Sequence, residues 1–163
     1  MSGVRPGARS VLKWFSALYV VLIVVQVFLA GEGIFGLNNI KHDCEDKVTS
    51  QCLGGSKTLD AHRALGFFLT LPGALLFLIV ALLAWHTNKR IRTVSIVLPF
   101  LLFIQMLLPG AGRWVAGLHP VNAILVLGLF GWLFMQLRGE GTETAAPADR
   151  AAPLLRPTRR TSS

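Results

Sequence analysis

Charged side chains are scarce in this sequence. Only 15% of the 163 residues are charged, while 53% are hydrophobic and the mean hydropathy is +0.58. Water-soluble domains carry roughly 25% charged residues, so this composition excludes an ordinary soluble protein. We expect an integral membrane protein of the all-α class.

Cysteine is also scarce, with Cys44 and Cys52 as the two copies. Two thiols provide neither a zinc-spaced cluster nor the second pair that membrane thiol oxidoreductases use as a relay. The chain also lacks a Gly-rich phosphate loop and a Ser nucleophile elbow. These absences favour a non-enzymatic role, although they leave an enzyme possible.

Acidic residues are half as frequent as basic ones, which gives a net charge of +8. In a soluble protein this excess would suggest nucleic acid as a partner. Here the Lys and Arg residues lie almost wholly between and beyond the apolar runs, where they act as topology signals. We therefore expect the lipid bilayer as the partner, and no nucleic acid.

Four apolar runs are each close to the roughly 20 residues that a spanning helix needs. They cover about residues 11–36, 59–85, 93–110 and 116–137. The first run also has the basic start of a signal peptide, but cleavage after Ala30 would place bulky Phe28 where a small residue is required. We favour a retained helix and an up-down-up-down four-helix bundle.

The positions of the cations predict the orientation. Basic residues precede the first helix, occupy the connection at 86–92 and recur in the tail at 138–163, so these segments are expected in the cytoplasm. The loop at 37–58 and the third connection then face outward. We predict a plasma-membrane protein with a short cytoplasmic N-terminus at 1–10 and a disordered cytoplasmic tail.

The outer loop contains both cysteines. Because this side of the membrane is oxidising, a structural disulfide between Cys44 and Cys52 is the natural interpretation. The alternative is a redox-active pair, which usually has Cys-x-x-Cys spacing rather than the seven intervening residues found here.

The chain contains a candidate internal repeat of two helices each. The frame Gln-x-x-Leu-x-Gly-x-Gly begins at Gln26 and again at Gln105. Each copy is followed by an outer loop and by a histidine at the start of the next helix, His62 and His119. Such a 2+2 repeat would have a two-fold axis along the membrane normal.

His62 and His119 are the main functional candidates. The second and fourth helices of an up-down bundle lie diagonally across the core, so the two imidazoles would face each other at similar depth. That arrangement suits axial ligation of a b-type haem. Gly66 and Ala123, one turn after each histidine, leave room for a porphyrin or for close helix packing. Alternatively, the histidines are structural.

Other polar residues near this end have two interpretations each. Arg63 and Arg113 could pair with haem propionates, although Arg63 could instead pair with Asp60 or Glu32 or meet the membrane interface. Gln26 and Gln105 need partners in a bilayer, which could be each other, a histidine or a ligand. Near the outer boundary, Glu32 could be solvated, paired or part of a proton path.

Three motifs carry a resemblance over about residues 11–137: Gln26 with FLAG at 28–31, DAHRALG at 60–66 and HPVNA at 119–123. In these the chain resembles a family of small four-helix membrane proteins, common in actinobacteria, that is known only as a domain of unknown function. The layout is also similar to one half of haem A synthase. That similarity implies haem-ligating roles for His62 and His119 and an outer-loop role for the cysteine pair.

The sequence departs from that enzyme at one position. Its catalytic half has a glutamate three residues before the histidine, where this chain has Leu59, with Asp60 one position later. Hydroxylation of haem is therefore not expected. Two hypotheses remain: a haem-binding protein for haem handling or electron transfer, and a cofactor-free scaffold or accessory subunit. A homodimer or a respiratory redox partner is compatible with either.

Overall fold

The computed structural model describes residues 4–43 and 57–143, and all of the elements in these ranges are helical. These two ranges contain six α-helices: α1 (Val4–Asp43), α2 (Lys57–Phe68), α3 (Ala74–Ala84), α4 (Lys89–Leu107), α5 (Arg113–Ala116) and α6 (Leu118–Glu143). A π-helical turn, Leu69–Gly73, joins α2 to α3, and a 3₁₀ turn, Leu108–Gly110, follows α4.

Four stretches are long and apolar enough to cross a membrane, as the hydropathy predicted. We call them the first to fourth segments: Arg5–Ile34, Leu59–Ala84, Lys89–Gly110 and Trp114–Gly139. Large apolar side chains remain exposed on their outer faces, for example Phe28 at 64% and Ile124 at 70%. Exposure of this kind suits contact with lipid rather than with water.

The helices extend beyond the boundaries expected from the apolar runs. The first begins at Val4 instead of residue 11, with Pro6 in the first turn, where a missing N–H is tolerated. It continues to Asp43, into the expected loop, and α6 continues to Glu143, into the expected tail. Cys44, Cys52 and residues 144–163 lie outside the described ranges, so the disulfide and the disordered tail stay predictions.

The segments pack in a cyclic order. The first contacts the second and the fourth, and the third likewise contacts the second and the fourth. The second and fourth segments are therefore diagonal neighbours across the bundle axis. This arrangement brings the two histidine-bearing segments to opposite sides of a shared interior.

An aromatic cluster fills the half of the bundle away from the histidines. The ring of Tyr19 stacks on Phe130 with centroids 4.5 Å apart, and Phe77 meets both rings edge to face at 5.7 and 5.1 Å. Phe15 stacks on Phe77 at 6.0 Å. Because these rings come from the first, second and fourth segments, they fix the packing on which the other half is built.

Pro72 explains the π-helical turn in the second segment. Proline has no N–H for the carbonyl four residues earlier, and its ring crowds that carbonyl, so the wider π-turn relieves the crowding at this position, although α4 accommodates Pro99 without one. The Tyr19 hydroxyl donates a hydrogen bond of 3.0 Å to the Leu69 carbonyl at this turn. Gly73 makes the approach possible, since a Cβ there would lie 2.6 Å from Tyr19 Oη.

Candidate functional site

The structure brings His62 and His119 together across the bundle. His62 lies in the second turn of α2 and His119 in the first turn of α6. Their ring centroids are 6.4 Å apart and their ring planes are inclined by 72°. Both side chains are half-buried. Two histidines that are 57 positions apart in sequence thus form one cluster at the same end of the bundle.

Gln26 and His62 exchange two hydrogen bonds between the first and second segments. The Gln26 side-chain amide donates to the His62 carbonyl at 3.0 Å. In return, His62 Nδ1 lies 3.1 Å from the Gln26 carbonyl oxygen. A carbonyl only accepts, so Nδ1 carries the proton and Nε2 bears the lone pair. Among the described residues, no hydrogen bond reaches His62 Nε2.

Gln105 and His119 repeat this exchange between the third and fourth segments. The Gln105 amide donates to the His119 carbonyl at 3.0 Å, and His119 Nδ1 lies 3.0 Å from the Gln105 carbonyl oxygen. That carbonyl is available because its usual helical donor would be the N–H of Pro109, which proline lacks. The imidazole therefore satisfies a backbone group that the helix leaves open.

The second pair has contacts that the first does not. Gln105 Nε2 also lies 3.1 Å from His119 Nε2, and Asn122 Nδ2 donates to Gln105 Oε1 at 2.6 Å and to the Leu101 carbonyl at 3.0 Å. In the first pair, Gln26 Oε1 is buried and has no hydrogen-bond partner among the described residues. Leu65 follows His62 by three residues, as Asn122 follows His119, and offers no donor.

The four residues of these pairs line a cavity of about 660 Å³. This volume falls within the range of roughly 300–1,000 Å³ typical of small-molecule sites. All four segments contribute to its walls, and most of the wall residues are apolar, including Ile23, Leu102, Met106 and Val126. Polar groups are confined to a few positions around the histidines, which is the usual pattern of a ligand site.

The remaining predicted residues lie in different environments. Arg63 lines the cavity, and its guanidinium is 3.4 Å from an Asp60 carboxylate oxygen, with both side chains largely exposed. Glu32 is exposed on α1. Arg113 begins α5, and its side chain is outside the described part of the structure.

Gly66 has a specific neighbour. A Cβ at this position would lie 2.8 Å from Gln26 Nε2, so the space that we expected to admit a porphyrin or a close helix is occupied by the Gln26 amide. Ala123, at the corresponding place in the fourth segment, also lines the cavity. Sequence reasoning missed Asn122 as a participant, although its position one turn after His119 was available as a signal.

Metal-ligating side chains are few at this site. Across residues 4–43 and 57–143 there is no group of three or more His, Cys, Asp or Glu that could hold a metal ion by itself. Two imidazoles are too few for a closed zinc site, but two are what a porphyrin-bound iron leaves for the protein to supply. The chain matches no family model, no curated protein and no solved structure.

Proposed function

We propose that this protein is a multi-pass membrane protein that binds b-type haem, with His62 and His119 as axial ligands, for haem handling or electron transfer. The observation that carries the proposal is the histidine pair, whose ring centroids are 6.4 Å apart on diagonal segments. Two imidazoles at this separation would be placed to hold one haem iron between them, and the bound haem would supply one-electron redox chemistry.

The tautomers support the same proposal. Both Nδ1 atoms are committed to backbone carbonyls of Gln26 and Gln105. Imidazoles that ligate metals usually donate their other N–H in this way, because the bond fixes the ring orientation and raises the basicity of the ligating nitrogen. In each ring, Nε2 is therefore the nitrogen that carries a lone pair for a ligand.

The cavity suits a large apolar group with a charged edge. Its wall of apolar side chains would exclude water from a macrocycle. Arg63, at the cavity wall but largely exposed, is positioned to bind a propionate by exchanging its partner Asp60, and we propose Arg113 as a second such cation. An exposed ion pair contributes only about 0–1 kcal/mol, so exchanging it costs little.

We further propose an up-down-up-down topology with a 2+2 internal repeat. The support is the matched exchange of hydrogen bonds, Gln26 with His62 and Gln105 with His119, at nearly equal distances. The cyclic packing order of the segments agrees with such a bundle. From the distribution of cations, we propose the plasma membrane with both termini in the cytoplasm.

The test is a reduced-minus-oxidised absorption spectrum of protein purified in mild detergent from haem-supplemented cells. We expect haem bands in the native protein and their loss or shift in His62→Ala and His119→Ala. His86→Ala is the matched control, because His86 is a histidine at the opposite end of the second segment. A native protein without haem bands after supplementation would exclude the proposal.

A specific contact favours a second candidate, a cofactor-free scaffold or accessory subunit. Gln105 Nε2 already lies 3.1 Å from His119 Nε2, so this imidazole has an internal partner for its lone pair. The glutamine–histidine pairs would then serve to join neighbouring segments. Under this alternative, His62→Ala and His119→Ala would lower the thermal stability of the haem-free protein. Haem supplementation would not raise the thermal stability of the native protein.

A further inference from the structure

The site has two halves, the Gln26–His62 pair and the Gln105–His119 pair, which differ in their hydrogen bonds to the imidazole. We infer that Gln105 controls iron coordination by competing for the lone pair of His119. This inference rests on the proposed haem binding. It assigns His62 as the constant ligand and His119 as a conditional one. The coordination position opposite His62 is then accessible to small neutral ligands such as carbon monoxide.

In the Gln105–His119 half, the direction of each hydrogen bond follows from its partners. The His119 carbonyl only accepts, so the nitrogen of the Gln105 carboxamide faces it and the oxygen faces Asn122. The Gln105 carbonyl also only accepts, so His119 Nδ1 carries its proton. His119 Nε2 is therefore an acceptor, and the contact of 3.1 Å is a hydrogen bond donated by Gln105.

Asn122 holds this arrangement in place. Its side-chain amide donates both to Gln105 Oε1 and to the Leu101 carbonyl, which anchors the carboxamide to the backbone of the third segment. Gln105 cannot rotate away from His119 without giving up the bond to Asn122. The hydrogen bond from Gln105 to His119 Nε2 is thus part of a connected network, and such networks resist the loss of a single member.

In the Gln26–His62 half, His62 Nε2 receives no such hydrogen bond from the described residues. The Gln26 amide nitrogen donates to the His62 carbonyl, and the amide oxygen is buried with no hydrogen-bond partner in the ranges 4–43 and 57–143. Leu65 stands where the second half has Asn122, so nothing turns the Gln26 carboxamide toward the imidazole. Within the described part of the chain, His62 Nε2 keeps its lone pair for a ligand.

The difference predicts unequal ligands. His62 can bind iron without breaking a hydrogen bond, whereas His119 must first displace Gln105. A neutral hydrogen bond of ordinary strength shifts an equilibrium about 2- to 10-fold. In the haem-loaded protein, Gln105 should therefore shift the equilibrium by that factor toward the form in which His119 is not a ligand. An added small molecule can bind in that form.

The experiment compares Gln105→Leu with Gln26→Leu, its matched control from the other half. Each full-length protein is loaded with haem, and two quantities are measured: the high-spin fraction of the oxidised form, by absorption, and the affinity of the reduced form for carbon monoxide. We expect Gln105→Leu to lower the high-spin fraction and to weaken carbon monoxide binding about 2- to 10-fold. Gln26→Leu removes a hydrogen bond to the His62 carbonyl but none to an imidazole nitrogen, so it should change both quantities less than Gln105→Leu does.

Further variants keep the test decisive if Gln105→Leu folds poorly. Asn122→Leu copies the Leu65 environment and should shift both measurements in the same direction as Gln105→Leu. His119→Ala should retain haem and strengthen carbon monoxide binding, while His62→Ala should lose haem.

Two results separate this inference from the proposed function. If the native protein takes up no haem, the proposed function fails and the inference with it. If it takes up haem but the Gln105 and Gln26 variants behave alike, or if His119→Ala rather than His62→Ala loses the haem, the inference alone is overturned.

Discussion

Substituting Gly73 by alanine tests the packing of the π-helical turn between α2 and α3. The new Cβ would lie 2.6 Å from Tyr19 Oη and 2.9 Å from the Phe68 carbonyl oxygen, which is backbone and cannot swing away. Displacing Tyr19 breaks its bond to the Leu69 carbonyl, at a cost of about 0.5–1.5 kcal/mol. Overpacking adds about 1–3 kcal/mol, and the gain from replacing a helical glycine returns about 0.5–1 kcal/mol.

The net expectation for Gly73→Ala is a loss of about 0.5–4 kcal/mol. For a chain of this length it should lower the melting temperature in detergent by about 1–16 °C, measured by intrinsic fluorescence. Gly128→Ala is the matched control, because a Cβ there meets nothing within 4 Å and should be neutral or stabilising. Equal melting temperatures for the two variants would refute the account of the Tyr19 contact.

Two further predictions concern stability. Gln105→Leu should destabilise the haem-free protein by about 1–3 kcal/mol because it leaves His119 Nε2 without its donor. Gln26→Leu should cost less than about 1 kcal/mol, since it also removes a buried unpaired oxygen. Chemical unfolding in mixed micelles measures both free energies, and equal losses would contradict the difference between the two glutamine–histidine pairs. Phe130→Ala should cost about 3–5 kcal/mol because the ring is fully buried between Tyr19 and Phe77, while Phe100→Ala, at 59% exposure, should change the melting temperature little.

The helical class and the number of spanning segments could be predicted from the sequence because hydropathy depends on composition over about 20 residues. Helix ends could not be placed as well. Three glycines at 31–36 and the polar stretch at 37–43 suggest a loop, yet α1, which has no proline after Pro6, continues to Asp43. Apolar content marks where lipid ends and does not mark where hydrogen bonding ends.

The site was accessible from the sequence in part. The shared frame around Gln26 and Gln105 marked these residues as polar groups that need partners in a bilayer, but it left open whether each bonds to the other, to a histidine or to a ligand. It did not reveal that each partner is chiefly a backbone carbonyl, nor that Asn122 completes one pair. Those contacts depend on helix rotation, which a sequence pattern alone does not fix to within a hydrogen-bond length.

The π-helical turn at Leu69–Gly73 sets the rotational phase between the two ends of the second segment. Each residue of an α-helix advances the direction of its side chain by about 100°, and a π-turn accommodates one residue more than an α-turn does. Converting this turn to a regular α-turn without changing the chain length would rotate α2 by about a quarter-turn relative to α3. Phe77 could then keep its place among the aromatic rings only if His62 turned away from the cavity, so the hydrogen-bond pattern of this short turn matters as much as its composition.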